Sequence, residues 1–391
     1  MKRGMRDAVV VGGGVVGAAC ALALAELGLD VALVEAREPP RRDAAQRDLR
    51  VYAFAPDNAS LLDALGAWES VRGSRVEPYR RMRVWDAAGG GELAIDADAL
   101  GRRELGWIVE HGLLVDRLWT ALPAAGVEVL TPAKVETLAQ DEEGVRLVLD
   151  AGRTLETRIA IAADGGDSAL RSMAGVQVDA REHAQRGVVA YVQTELPHQQ
   201  TAWQRFLPGG PLAFLPCGDA LSSIVWSLPD DEAARVLALD DAGFGAATEA
   251  AFEARLGAVR VASARASFPL RMQLASSQCA GRILLVGDAA HVVHPLAGQG
   301  VNLGLRDVAA LRDSIAKSRS RRIAWDAAHR LQRWARGRKS ENAQAAHAFD
   351  AINRVYSSEA LLPTLLRGHA LGLAGRVPPI ARALWRHAAG A

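Results

Sequence analysis

The sequence predicts an α/β protein: a Rossmann-like nucleotide-binding domain carrying an inserted β-sheet domain and C-terminal helices. Three observations predict it. Residues 8–35 read as strand, glycine loop, helix, strand and acid in succession. Two later apolar runs end in strand-terminal turns, Asp164-Gly165 and Gly287-Asp288. Between about Arg186 and Phe268 the pattern changes to short runs separated by turn residues, as an antiparallel layer would read.

Bulk properties set the first limits. A chain of 391 residues is long enough for more than one core. Half of it is hydrophobic, and 46 basic residues face 45 acidic ones. That leaves no basic field for nucleic acid and no acidic tail. Cys20, Cys217 and Cys279 are far apart and odd in number, which fits a reducing compartment without disulfides. Lys2 and Arg3 ahead of an apolar stretch imitate a signal peptide, but Gly12, Gly13, Gly14 and Gly17 interrupt that stretch and Glu26 ends it. No run is long and apolar enough to span a bilayer. A cytoplasmic protein is expected, with peripheral contact at the inner membrane left open.

The elements follow in order. Ala8-Val9-Val10-Val11 is a buried strand. Gly12, Gly14 and Gly17 then hold the spacing G-x-G-x-x-G. The first permits the tight turn, the second lets backbone approach a pyrophosphate, and the third lets helix and strand pack closely. A helix runs through Ala18 to Leu27, with Gly28 as its stop. Its N-terminus offers N–H donors and positive potential to a phosphate, so Val15 and Val16 join the glycines as candidate cofactor residues. Asp30 to Val34 is the second strand. It ends at Glu35, an acceptor for a ribose diol, followed by Ala36. Arg41 to Arg50 is a charged loop. Arg50 either contacts or gates the cofactor, or is a solvated loop arginine. Val51 to Leu65 reads as a helix or turn-helix.

Arg81 to Asp86 and Gly106 to Glu110 read as strands, with a turn over 87–91 and an amphipathic helix from Leu113 to Leu122. Runs at 127–130, 133–140, 145–149 and 154–159 suggest a small antiparallel meander. A buried strand over 159–163 then delivers Asp164-Gly165. Strands are expected at 188–195, 203–207, 212–215 and 221–228, with a hairpin turn at Cys217 to Ala220 and helices at 231–238 and 242–256. Arg282 to Val286 is a strand leading into Gly287-Asp288. A long helical region follows Val301 and runs past Trp334 to Ala348. The expected division is a discontinuous cofactor-binding domain (1–75, 101–182, 268–345), a β-rich substrate domain (76–100, 183–267) and a C-terminal helical segment (346–391).

These motifs now resemble a known family. Asp164-Gly165-x-x-Ser168-x-x-Arg171 and Gly287-Asp288-Ala289-Ala290-His291 resemble the second and third FAD fingerprints of the single-component flavoprotein aromatic hydroxylases, of the para-hydroxybenzoate hydroxylase type. Pro295-x-x-Gly298-Gln299-Gly300-x-Asn302-x-Gly304 is similar to the ubiquinone-biosynthesis hydroxylase branch. So are Leu49-Arg50-Val51-x-Ala53, Trp203 to Pro216 and Phe268-Pro269-Leu270-Arg271. The resemblance spans essentially the whole chain. It implies FAD, with the pyrophosphate at Gly12, Gly14 and Gly17, the adenosine ribose at Glu35, and the ribityl region at Asp288. Asp164 and Gly165 would serve FAD and the docking of reduced nicotinamide, and Arg171 would pin that loop.

The implied reaction uses NADH or NADPH to reduce the flavin. O2 adds at its C4a as a hydroperoxide, and the terminal oxygen passes to the ring of a polyprenylated phenol on the way to ubiquinone. The alternatives are the same chemistry on another soluble aromatic or polyketide substrate, an FAD-dependent reductase without oxygen transfer, and a flavin-bearing scaffold in a biosynthetic complex. Homo-oligomers are compatible with each.

Pro295, Gly298, Gln299 and Gly300 are the candidate catalytic group. Reduced flavin develops negative charge that backbone N–H groups and a helix N-terminus stabilise without a counter-charge. Gly298 and Gly300 would let backbone lie flat against the ring, and Pro295 would shape a pocket that keeps water out. Val301 and Asn302 continue the cradle into the helix. His291 and His294 imitate metal spacing but have no third ligand nearby, so loop packing is expected and no metal. Phe214, Leu215 and Pro216 are the candidate substrate-binding residues, and Trp203, Phe206 and Trp226 line the pocket or fill the core. Near the end, Ile380, Leu384 and Trp385 share a helical face beside Arg376, Arg382 and Arg386. Such a face packs on the protein or lies on an anionic membrane.

Overall fold

Apolar runs closed by glycine build the central layer, because strands buried on both faces carry near-continuous hydrophobic sequence. The computed structural model describes residues 4–39, 42–87, 89–218, 220–293 and 300–357. The N-terminal part contains β1 (Arg6–Val11), α1 (Val15–Glu26), β2 (Val31–Val34), β3 (Val51–Phe54), α2 (Pro56–Ala64), α3 (Trp68–Arg72), β4 (Glu77–Tyr79), β5 (Arg81–Asp86), β6 (Gly89–Asp96), β7 (Gly106–Glu110), α4 (His111–Ala121) and β8 (Glu128–Leu130). The middle adds β9 (Val135–Gln140), β10 (Val145–Leu149), β11 (Thr154–Ala162), α5 (Ala169–Met173), β12 (Val178–Thr194), β13 (Thr201–Leu207), β14 (Gly210–Pro216), β15 (Leu221–Pro229), α6 (Asp230–Leu237), α7 (Asp241–Ala251) and β16 (Val259–Val261). The chain continues through β17 (Ala266–Ala275), β18 (Cys279–Ala280), β19 (Ile283–Leu285), β20 (His291–Val292), α8 (Gly300–Ser320) and α9 (Ala328–Ser357).

Strands β19, β11, β1, β2 and β8 lie side by side and parallel. Alternate residues separate its two faces. Val10, Leu33, Ile161 and Leu284 pack under α1, α4 and α8, whereas Val9, Ala32, Ala160 and Leu285 pack towards β10 and α5. A nine-stranded sheet runs β20-β17-β12-β15-β14-β13-β5-β6, with β16 added to β12. It is antiparallel except where β13 runs parallel to β5. Helices α6 and α7 cover part of it over a core that includes Phe214, Trp226 and Phe244. A small sheet, β3-β7-β4, bridges the region between. No helix among the described residues is long and apolar enough to cross a membrane.

Several expectations are corrected. Val51 to Leu65 is a strand and then a helix: β3 pairs with β7, and Pro56 at the first turn starts α2 where its missing N–H costs nothing. The run at 127–130 does not join the meander; β8 extends the parallel sheet beside β2. The runs at 154–159 and 159–163 are one strand, whose first half carries β10 and whose second half joins β1. The helical region after Val301 breaks between α8 and α9, where Arg322 takes φ +54° and Ile323 N–H reaches back to Ser318 O at 3.1 Å. The strand expected at 188–195 starts earlier, at Val178, because its first residues pair with β17.

Candidate active site

Because β1, β11 and β19 are adjacent and parallel, their three glycine-acid turns meet at one edge. They open a cavity of about 620 Å³ lined by Gly12, Gly14, Val15, Val16, Glu35, Ala36, Asp164, Gly165 and Asp288. The glycines there do different jobs. Gly12 takes φ +105°, and a side chain on it would lie 2.3 Å from Ala163 O. A side chain on Gly17 would lie 1.9 Å from Gly12 O. Gly14 faces open space, with no heavy atom within 4 Å of a built Cβ. It also starts α1 without a side-chain cap, so the first N–H groups of that helix have no side chain competing for them. Glu35 accepts from Gly13 N at 2.5 Å and Arg37 N at 3.0 Å, and Trp119 Nε1 braces the loop by donating to Gly13 O at 2.7 Å.

The second turn is partly self-contained. Asp164 accepts from Ser168 Oγ and, at 3.1 Å, from Leu170 N, so its carboxylate caps α5 while still lining the cavity. Arg171 is buried and donates to Ala289 O at 3.0 Å, so it ties the second turn to the third rather than pinning its own loop alone. In the third turn Gly287 has φ +58°, and exposed Asp288 lines the cavity.

A second cavity, of about 490 Å³, is predominantly apolar, with Val189, Ala213, Leu215, Val225 and Phe268 in its wall. Both cavities include Arg50, Tyr52, Asp288 and Val301, so they meet there. Arg50 is thus exposed towards the two cavities, with its guanidinium 5.5 Å from the centre of the Tyr52 ring. Tyr52 is buried, and its hydroxyl lies 2.9 Å from His111 Nδ1. Burial, aided by Arg50, pushes the His111 imidazole down to about 4, so near neutral pH it is uncharged. Burial raises the Tyr52 phenol, which keeps it protonated.

The substrate-wall expectation is corrected in part. On β14 successive side chains alternate, so Ala213 and Leu215 face the cavity and Phe214 faces away. Phe214 is fully buried against Phe252 with ring centres 4.1 Å apart. Pro216 is buried and outside the cavity wall. Trp203 and Trp226 belong to the same core as Phe214, and Phe206 to a neighbouring one. The wall instead uses Gln204, Ser227, Phe268 and Arg271, which periodicity alone did not single out.

In the late cradle, His294, Pro295, Gly298 and Gln299 lie outside the described residues. Gly300 opens α8 and lines the apolar cavity, as Val301 does both. Asn302 is a correction. Its side chain is fully buried and turned away from the cavities: Oδ1 accepts from Ala55 N at 3.0 Å and Asn58 Nδ2 at 2.9 Å, and Nδ2 donates to Ala53 O at 2.8 Å. It braces α8 against the β3–α2 turn. His291 also does more than fill space, since its Nε2 sits 2.6 Å from the buried carboxylate of Asp307. Asp307 and its partners Arg338 and Asn342 went unnoticed in the sequence, where their only signal is polar residues at helical spacing among apolar ones.

The residues present fit a flavin dinucleotide. A bare helix start and an open glycine suit a pyrophosphate, Glu35 stands at the end of β2, and Asp288 faces the join with an apolar cavity.

Comparison with known proteins agrees. The family described as FAD binding domain matches residues 5–325. The chain is 38% identical over 372 residues to the 3-demethoxyubiquinol 3-hydroxylase of Escherichia coli, covering 94% of this chain and 93% of that protein. It is 36% identical over 388 residues to the ubiquinone hydroxylase UbiL of Rhodospirillum rubrum, covering 98% and 89%. Among solved structures it is similar to the p-nitrophenol 4-monooxygenase PnpA of Pseudomonas putida, with a TM-score of 0.77, 18% identity and 98% of each chain covered. PqsL of Pseudomonas aeruginosa, a probable FAD-dependent monooxygenase, gives a TM-score of 0.72 at 21% identity, covering 97% and 99%.

Proposed function

We infer the function from one premise: the chain belongs to the FAD-binding-domain family, and it is an FAD-dependent aromatic monooxygenase that uses reduced nicotinamide. Its substrate, on our reading, is a polyprenylated phenol or quinol precursor of ubiquinone. The observation that carries this is the apolar cavity opening onto the glycine-lined one at Asp288 and Val301. Whole-chain similarity to enzymes named for ubiquinone hydroxylation supports it.

The bound flavin would take electrons from NADH or NADPH and activate O2. The chain's own residues would hold and shield. Gly12, Gly14, Val15, Val16 and Gly17 would receive the pyrophosphate, Glu35 and Ala36 the adenosine end, and Gly287 and Asp288 the ribityl end. Asp164 and Gly165 would border the cofactor where the reductant docks, with Arg50 at the join of the cavities. Pro295, Gly298, Gln299, Gly300 and Val301 would present backbone to the reacting ring, and Asn302 would hold that segment in place. Leu215 and Val225 would pack against the phenol and keep water out. The same reading divides the chain into a cofactor part (1–75, 101–182, 268–345), a substrate part (76–100, 183–267) and a C-terminal segment (346–391). Residues 358–391 of that segment, with Ile380, Leu384 and Trp385, lie outside the described residues. We place the protein in the cytoplasm, with contact at the inner membrane where such a substrate resides.

Deletion of the gene, followed by mass analysis of quinone intermediates, tests the substrate class. Accumulation of a precursor lacking one ring oxygen is expected. A normal ubiquinone pool with no new intermediate would overturn it. Labelled O2 should appear in the product of the purified enzyme, and its absence would point to a reductase.

A further inference from the structure

Behind the third turn lies a buried charge that binding and shielding do not use. Asp307, on α8, is fully buried and has donors on both oxygens. Oδ2 accepts from Gly287 N at 3.0 Å and meets His291 Nε2 at 2.6 Å. Oδ1 accepts from Arg338 Nε at 2.8 Å and from Asn342 Nδ2 at 2.8 Å. Arg338 also donates to Asn342 Oδ1 at 2.8 Å and to Glu341. Burial alone would raise this carboxyl, but His291, Arg338 and Asn342 hold it below the usual carboxylate range. It is therefore an anion in an apolar setting, which is tolerable only while its partners stay in place.

The geometry links two distant parts of the chain. One oxygen grips the turn that carries Asp288, and the other grips α9. On the remaining sides, Arg171 holds Ala289 O at 3.0 Å, and the side chain of Val16 fills the notch between Gly287 and Gly304. A built Cβ on Gly304 would fall 2.6 Å from Val16 Cγ2 and 3.0 Å from Gly287 Cα, so the turn has no slack in that direction. What sets the height of Gly287 is its N–H bond to Asp307, and what holds Asp307 is α9.

We propose that Arg338 and Asn342 are positioning residues for the cofactor. Through Asp307 they fix the Gly287 N–H and His291, and so fix Asp288, which makes FAD retention depend on helix α9. This rests on the reading that Asp288 holds FAD.

The test is titration of FAD into cofactor-free protein, followed by flavin fluorescence, for Asp288→Asn, Arg338→Gln and the double variant, with melts of each in the presence and absence of FAD. Arg338→Gln should weaken FAD about tenfold or more, the scale of losing a charged partner in a buried pair. It should also shrink the rise in melting temperature that FAD confers. The double variant should bind FAD no more weakly than Asp288→Asn alone. If Asp288→Asn leaves affinity unchanged, the reading of Asp288 fails and the proposal with it. If Asp288→Asn weakens FAD but the two effects multiply, the cofactor reading stands and the link through Asp307 is overturned. Equal lowering of both melts by Arg338→Gln, with unchanged affinity, also overturns it. Should that variant not fold, Asn342→Leu, which leaves the Arg338–Asp307 pair, is judged by the same cycle.

Discussion

Asn302→Ala separates bracing from binding. The wild-type side chain is fully buried, and its bonds among the described residues include three, at 3.0, 2.9 and 2.8 Å, to Ala55 N, Asn58 Nδ2 and Ala53 O. Alanine removes all three and leaves those partners buried. At roughly 1 kcal/mol net per bond, the cofactor-free protein should lose about 3 kcal/mol. Asn58 keeps its 3.2 Å bond to the Asn302 carbonyl, which limits the loss. The native protein that remains should still bind FAD within about threefold of wild type, a change worth under roughly 1 kcal/mol. Urea unfolding of cofactor-free protein reads the first quantity and FAD titration the second. Unchanged unfolding together with lost FAD would refute the reasoning, because it would make the Asn302 side chain a ligand.

Other outcomes follow from the same geometry. Gly17→Ala, whose new Cβ would sit 1.9 Å from Gly12 O, should yield little folded protein on a circular dichroism melt. Gly14→Ala should melt within about 0.5 kcal/mol of wild type yet bind FAD at least about tenfold more weakly, since its Cβ enters only ligand space. For His111 the folded value of about 4 lies below the ordinary 6.5, so the unfolded chain takes up the proton first. Its contribution is complete above pH 6.5 and is lost as pH falls towards 4, by roughly 3 kcal/mol. His111→Gln should flatten that slope of stability against pH, and identical slopes would contradict the assignment. Leu215→Trp should raise KM for the phenol with the flavin spectrum unchanged, whereas Phe214→Ala should cost about 3–5 kcal/mol of stability with little change in substrate preference.

Much of the fold was legible because its signals are local. The glycine spacing at 12, 14 and 17, the acid at 35, and apolar runs of strand length each state their own conformation. Strands β5, β7 and β10 match their expected runs residue for residue. What was not legible depends on which partner a strand meets. The run at 127–130 has the same composition whether it pairs antiparallel in a meander or parallel beside β2, and only the packing of α4 behind it decides. Val51 to Phe54 is too short for its period to separate strand from helix, so pairing with β7 settles it.

The site shows the same division more sharply. The three turns were readable, since each needs a residue type that few other conformations demand. The side chains around them were not, because facing is set by register and by partners far along the chain. Phe214 and Leu215 are neighbours of equal hydrophobicity, and a single step of the pleat puts one in the core and the other in the cavity wall. Asn302 stands in a stretch whose glycines face ligand space, yet its partners lie 247 and 244 residues away and pull its amide inward. His291 shares the spacing of a metal pair with His294, but its Nε2 is already taken by Asp307. A third-turn motif therefore marks where the cofactor goes, while the residues that hold the motif still, on α8 and α9, leave no mark beyond a few polar side chains at helical spacing. That asymmetry is why the strongest test of the site is a double-variant cycle across Asp288 and Arg338 rather than the loss of either residue alone.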